Sequence, residues 1–355
     1  MFKNKKRIVA LAIIPAFITV KILAQFPDFI ENYYSNGIYP LLSQTLRYSL
    51  GWLPFSFGDF VYAFAIIYSI RWLVINRKRM LRDFRNWSTD VFAAVSIIYI
   101  AFHLFWAMNY YRLPLHQNLN LDAEYTTESL IAVAEKLITK SNTIHLELVS
   151  HDSIKVEFPY TKNEVIDKTP LGYAALQKNF PHLEYKGKSI KKSLLSWPLT
   201  YMGFSGYLNP LTNEAHVNGL IPVFKIATTA SHEVAHELGY AAENEANFIG
   251  CLAATSHEDI YFNYSGYTFG LRHCLHEIYR RNPEEYDRLI TTINTGIIKN
   301  YQEVREFWES KRNPIEPLFQ STYNGFLIAN NQTDGMKSYS YVVALLVNYF
   351  ENKTF

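Results

Sequence analysis

Cysteine is nearly absent from this chain: only Cys251 and Cys274 occur. No Cys-x-x-Cys pair exists, which excludes a thioredoxin-type redox centre and a zinc knuckle. Two thiols allow at most one disulfide, and Cys251 sits in an apolar helical run where a buried thiol is an ordinary packing residue. No Walker loop or dinucleotide fingerprint is present; GFSGYLNP has the glycines but lacks the strand-then-helix context of a phosphate cradle. Charge of either sign is also scarce in excess, since the net is +2. With no Lys/Arg cluster interleaved with stacking aromatics, nucleic acid is ruled against as a partner. Internal repeats and low-complexity tracts are missing, and after residue 110 so are long hydrophobic runs.

What is there begins with three such runs in the first third. IVALAIIPAFITVKILAQF (8–26) follows Lys3, Lys5, Lys6 and Arg7, and the others span 57–75 and 89–108. Each is near the ~20 residues a helix needs to cross a bilayer. Lys21 is placed to snorkel, and Trp52, Trp72, Trp87 and Trp106 stand near the proposed ends as interfacial aromatics do. Arg71, Arg77, Lys78, Arg79, Arg82 and Arg85 crowd the second connection while the first has only Arg47. The charge bias predicts a cytoplasmic N-terminus, three crossings of the plasma membrane and an exported remainder. Two alternatives stay open. The first run also has the basic start and apolar centre of a signal peptide, though Leu-Ala-Gln is a poor cleavage site. Asp59, Asp90, Arg71 and His103 lie in or beside the runs, as they would in buried helices of a soluble fold.

The expected architecture is a membrane domain over 1–110 and an extracytoplasmic domain over 111–355, mainly α with a small β component. Helices are predicted over 126–139, 171–179, 267–281, 283–301 and 338–349. IHLELV and IKVEF alternate as two short strands would. SGYLNPLTNEAHVN (205–218) reads as extended chain leading into the next helix.

That helix carries SHEVAHELGYAAENEANF, residues 231–248. In His232-Glu233-Val234-Ala235-His236 the i, i+4 spacing puts both imidazoles on one helical face, one turn apart, where they can converge on one ion. Glu233 projects beside them and can accept a proton from an activated water. A catalytic zinc commonly takes a third protein ligand. A continued helix would carry Glu243 ~10.5 Å too far along its axis. The chain therefore has to turn, and Gly239 is placed to end the helix. A second helix from about Ala242 would set Glu243 and Asn247 on one face, with Glu245 ~200° around. Glu243 is the expected third ligand and Glu245 the alternative, since a start two residues later reverses their roles. Tyr264, Tyr267 and Tyr339 are candidates to donate to an oxyanion, but with 26 tyrosines in the chain each also reads as packing. His216, His273 and His276 lack an acidic partner at defined spacing and read as ordinary histidines, with His216 the reserve ligand.

HExxH followed by Glu-x-x-Ala-Asn resembles the gluzincin metallopeptidases. That resemblance implies Glu243 as ligand and Asn247 as the residue supporting a zinc histidine, although most gluzincins place many more residues between the two motifs. The glycine three residues after His236 is similar to that of metzincins, whose third ligand position falls here on Ala242. Across nearly its full length the chain resembles the bacterial membrane proteins of domain of unknown function 3810. The matching features are the hydrophobic helices, NYYRLPL, SGYLNPLTNEAHVN, the HExxH stretch and DGMKSYSYVVALL. The resemblance implies anchorage in a bacterial inner membrane and a metallopeptidase-like site.

The function expected from these residues is a membrane-anchored, Zn²⁺-dependent peptidase with a zincin-like outer domain, acting on peptide or protein substrates in the cell envelope. The alternative is a non-enzymatic envelope protein or sensor whose metal is structural or absent. Substrate preference and oligomeric state have no signature in the sequence.

Overall fold

The computed structural model describes residues 2–332 and 341–353 and is mainly helical around one small mixed sheet. α1 (Phe2–Leu11) and α2 (Ile13–Leu23) continue one another through Ala12. Beyond Leu23 the chain bends by 99° into a second limb over 27–50. Pro27 opens that limb, at a position where a missing N–H costs no helical hydrogen bond. The limb comprises α3 (Pro27–Phe29), a π-helical stretch Ile30–Ile38 and α4 (Tyr39–Leu50).

α5 (Phe57–Arg82) and α6 (Phe84–Phe105) are each long and apolar enough to cross a membrane, and the bent first limb makes a possible third. At 1.5 Å per residue they measure about 39 and 33 Å, against ~30 Å of hydrocarbon. Phe64, Ile67, Leu81 and Ile98 are each more than half exposed, an apolar surface suited to lipid rather than water. Two or three such helices are compatible with a membrane protein.

Both helices depart from the apolar windows in the sequence. α5 runs on to Arg82 because Arg77, Lys78, Arg79 and Arg82 are good helix formers whose charges lie past the apolar stretch. α6 stops at Phe105 because Trp106 leaves helical geometry (φ −155°), and Ala107–Tyr111 tighten into a 3₁₀ turn. Of the ionic residues that suggested a soluble fold, Asp59, Asp90 and His103 sit towards the ends of the helix group, whereas Arg71 lies exposed midway along α5. Asp90 accepts from Lys6 (2.8 Å) and Arg79 (2.7 Å) at one end. Asp59, at the start of α5, accepts from the Leu194 N–H at 2.6 Å at the other.

The rest of the chain packs about one core. α7 (Leu115–Asn118) leads to α8 (Thr127–Leu148), capped by Thr126 Oγ1, and to α9 (Lys162–Leu176), opened by a Thr161/Glu164 capping box. β1 (Lys191–Lys192), α10 (Ser196–Met202), β2 (Gly206–Asn209) and β3 (Glu214–Val217) follow. The strand order is β1-β3-β2, with β1 parallel and β2 antiparallel to β3, so β2 is an outer strand. Then come α11 (Val223–Glu237), α12 (Glu243–Thr255), α13 (Ile260–Arg281), α14 (Pro283–Ile290), α15 (Thr295–Glu309), α16 (Glu316–Ala329) and α17 (Val342–Phe350). Leu130 and Leu137 of α8, Ala230 of α11, Phe248 of α12, Leu271 of α13 and Leu346 of α17 meet in the core.

The two strands expected at IHLELV and IKVEF do not form. IHLEL is the end of α8, because Val133, Leu137, Ile138 and Ile144 recur at helical spacing and bury together. IKVEF is irregular chain held by Asn300, which donates to Val156 O (3.0 Å) and accepts from Val156 N (3.2 Å). The helix expected at 171–179 starts earlier, at Lys162, and tolerates Pro170 inside it. The one expected over 283–301 is two, α14 and α15, separated at 291–294. The start of the helix expected over 338–349 lies outside the described residues. Cys251 and Cys274 are both free and buried.

Candidate metal centre

α11 buries Ala227, Ala230, Val234 and Ala235 completely, which turns His232 and His236 to the opposite, site-lining side. Gly239 ends the helix at φ 88°, a left-handed conformation that a side chain disfavours, and its N–H bonds to His236 O at 3.0 Å. Extended chain at Ala242 then starts α12 with Glu243 as its first residue, where a carboxylate suits the helix dipole. α12 returns tightly along α11: a Cβ on Gly250 would lie 2.8 Å from the His232 backbone nitrogen.

This turn brings Glu243 Oε2 to 3.3 Å from His232 Nε2 and 3.8 Å from His236 Nε2. Glu233 reaches the same two rings, with ligand atoms of the three residues all within 4.8 Å of one another. His236 Nδ1 lies 2.7 Å from Tyr240 O. With Nδ1 donating there, Nε2 is the ring nitrogen that faces Glu243, the atom a metal-binding histidine in this orientation would offer to an ion. His232 Nδ1 is buried without a partner among the described residues. Asn247 is buried one turn beyond Glu243 but hydrogen-bonds neither ring among the described residues.

Burial, reinforced by Glu243 and Glu237 and opposed by His236, pushes the Glu233 carboxyl up to about 8. Burial acts the same way on Glu243, but its bonds to both histidines outweigh it and hold that carboxyl well below its ordinary range. His236 moves up to about 9, because Glu243 overcomes the burial that would lower it. His232 moves down, with burial the dominant cause. Glu243 and His236 thus face one another as carboxylate and imidazolium, a charge arrangement that a divalent cation could replace.

Glu245 is turned away from the histidines. Its Oε1 accepts from the Leu115 N–H at 2.6 Å, and the nearby Arg112 donates to Gly239 O (3.1 Å) and to Glu31 (2.7 and 2.9 Å). Glu245 therefore belongs to the clamp on the α11–α12 turn, which explains the NYYRLPL motif. Among the candidate tyrosines, Tyr264 donates to Asn300 Oδ1 in the core and Tyr267 packs on Phe350. Tyr339 lies outside the described residues. The tyrosine at the cluster is Tyr323 of α16, which donates to Glu243 Oε1 and packs on Phe204. Nothing local in the sequence distinguishes it from the other tyrosines. His216 is fully buried, 2.6 Å from Ser56 Oγ and against Tyr207; His273 packs on Phe269 and His276 is exposed.

Three other contacts from the N-terminal third were also not foreseen. Trp106 Nε1 donates to His236 O (3.1 Å), while Tyr39 and Ser43 hydroxyls donate to Glu237 O (2.9 and 3.0 Å). On the other flank lies β2, close enough that a Cβ on Gly206 would fall 2.5 Å from Glu233 Oε1.

No solved structure and no curated protein matches this chain. A family model described as protein of unknown function (DUF3810) matches residues 34–347, taking in α5, α6, the sheet and the whole His/Glu cluster. Matched over most of its length, the chain belongs to the DUF3810 family.

Proposed function

We propose that the protein is a membrane-anchored zinc-dependent peptidase with a zincin-like outer domain, working on the extracytoplasmic side. The observation that carries the reading is the convergence of His232, His236 and Glu243 at 3.3 and 3.8 Å. Tetrahedral zinc with bonds of about 2.0–2.2 Å sets its ligand atoms roughly 3.3–3.6 Å apart; the His232–Glu243 separation of 3.3 Å falls in that range and the His236–Glu243 separation of 3.8 Å lies just beyond it, so a small side-chain adjustment would bring the set onto an ion. Such an ion supplies a Lewis acid that lowers the pKa of water toward ~7. The charge of a bound cation would offset the burial that raises the Glu233 carboxyl, leaving it as the base that takes the proton of the attacking water and passes it to the leaving amine. Tyr323, within reach of Glu243, is the phenol best placed to donate to the developing oxyanion. β2, an outer strand beside Glu233, offers backbone donors and acceptors to an extended peptide. The exported orientation is supported by the basic residues Arg77 to Arg85, which lie at the end of α5 and α6 remote from the cluster.

The test pairs metal content with hydrolysis in full-length protein purified in detergent. Wild type is expected to hold about one zinc, and Glu233→Gln to keep it while peptide hydrolysis falls ~10²–10⁴-fold. Zinc retained with no hydrolysis that depends on Glu233 would make the site structural, the role of a non-enzymatic envelope protein.

A further inference from the structure

We infer that the site takes its substrate at the membrane surface: a polypeptide held in or on the bilayer and cut a few residues from its anchor. This rests on the peptidase reading and adds the substrate class to it.

No spacer separates the cluster from the membrane-length helices. Trp106, the first residue after α6, bonds directly to the carbonyl of His236. At the start of α5, Tyr62 stacks on Tyr207 of β2 at 5.8 Å, and Asp59 accepts from the Tyr207 hydroxyl. The strand beside Glu233 is thus seated on one span, and the helix bearing the histidines is tied to the end of the other.

The remaining wall of the site adds a second observation. α16, which brings Tyr323 to Glu243, packs through Phe326 on Phe102 in the last turn of α6 at 5.9 Å. Its outer side presents Ile315, Leu318 (65% exposed) and Ile328. Beside it α10 presents Trp197 (61% exposed) and Tyr201, whose carbonyl accepts from Asn313 at the foot of α16. This apolar surface meets the end of α6 through the Phe326–Phe102 contact and carries the Trp and Tyr side chains that favour the headgroup level. Its occupant is the outer leaflet of the same bilayer. With α10 and α16 resting there, the side of the cluster flanked by β2 and Tyr323 lies at headgroup height.

A chain leaving the bilayer advances ~3.3 Å per extended residue, so it draws level with the cluster within a few residues. Its anchor also raises its concentration there toward the millimolar range.

Two measurements on full-length protein in phosphatidylcholine/phosphatidylglycerol vesicles test this. Bimane on Leu318→Cys should lose at least half its fluorescence to doxyl-labelled lipid and little to aqueous iodide; the reverse overturns the placement. A mixed peptide library, either N-terminally palmitoylated or unacylated, is then read by mass spectrometry against Glu233→Gln. Palmitoylated peptides should be cut at least tenfold faster, close to the acyl end. Equal or faster cleavage of unacylated peptides overturns the substrate class while leaving the peptidase reading. Cleavage of neither above the Glu233→Gln background removes the peptidase reading, and the substrate class with it.

Discussion

Two carboxylates two positions apart, Glu243 and Glu245, have different work because the helix turns ~200° between them. Glu243 faces the histidines, and Glu245 holds the Leu115 N–H. Glu243→Gln is therefore expected to weaken zinc binding more than ~100-fold, beyond what loss of a supporting partner does. Glu245→Gln should keep its zinc. Competitive titration against a zinc chelator reads both, and loss of metal from Glu245→Gln alone would transfer the ligand role. Glu31 makes a second case. Its burial would raise its carboxyl, but the bonds and charge of Arg112 overcome this and hold it below its ordinary 4.5. A carboxylate lowered in the folded state stabilises the fold fully above its unfolded pKa and loses that contribution as pH falls through the folded one. Thermal stability should thus decline below about pH 4.5. Glu31→Gln should cost about 3 kcal/mol at pH 7 and flatten that decline, since it leaves the buried Arg112 without its countercharge. Melting curves from pH 7 to 3 decide, and an unchanged acid limb in the variant would remove Glu31 from this role. At this scale the local part of the site was legible: the shared face of His232 and His236, and the separation of Glu243 from Glu245. Tyr323 and Trp106 were not, because their partners lie 80 and 130 positions away, beyond any spacing rule.

At the scale of elements, the site is a helix, a turn and a helix pressed together. The turn at Gly239 was readable from glycine's tolerance of positive φ, but the closeness of α12 to α11 was not. Gly250 permits that closeness. Gly250→Ala should push α12 outward, costing roughly 1–3 kcal/mol as overpacking does. Zinc affinity should fall although no ligand is changed. Equal zinc affinity in this variant, measured at matched helicity, would show that the pair has slack. The β pattern was legible only in part. SGYLNPLTNEAHVN becomes the β2–β3 hairpin, whereas alternation in IHLELV yielded to the burial of a helical face running through it. Short alternating segments carry both periods, and packing against α13 chose between them.

Across the helix group, its basic cluster and the His/Glu cluster sit at opposite ends. Lys6 and Arg79 meet on Asp90 at one end of the helix group, and Trp106 reaches His236 at the other. A reporter fused after Arg79 should be active only in its cytoplasmic form, and one after Asn120 only in its exported form; the reverse pattern would overturn the orientation. The apolar runs made two membrane-length helices readable, but not the 99° bend that lays residues 27–50 against the histidine helix, since those residues look in sequence like a mere connection. Packing runs straight across a boundary drawn at residue 110. Tyr39, Ser43 and Trp106 hold the carbonyls that close α11, and these three leave the ribosome long before His232 does. The order of synthesis is therefore also an order of arming. The segments that close α11 are thus already made when that helix emerges, and a chain whose first 110 residues are misplaced leaves the end of α11, and with it His236, without its closure.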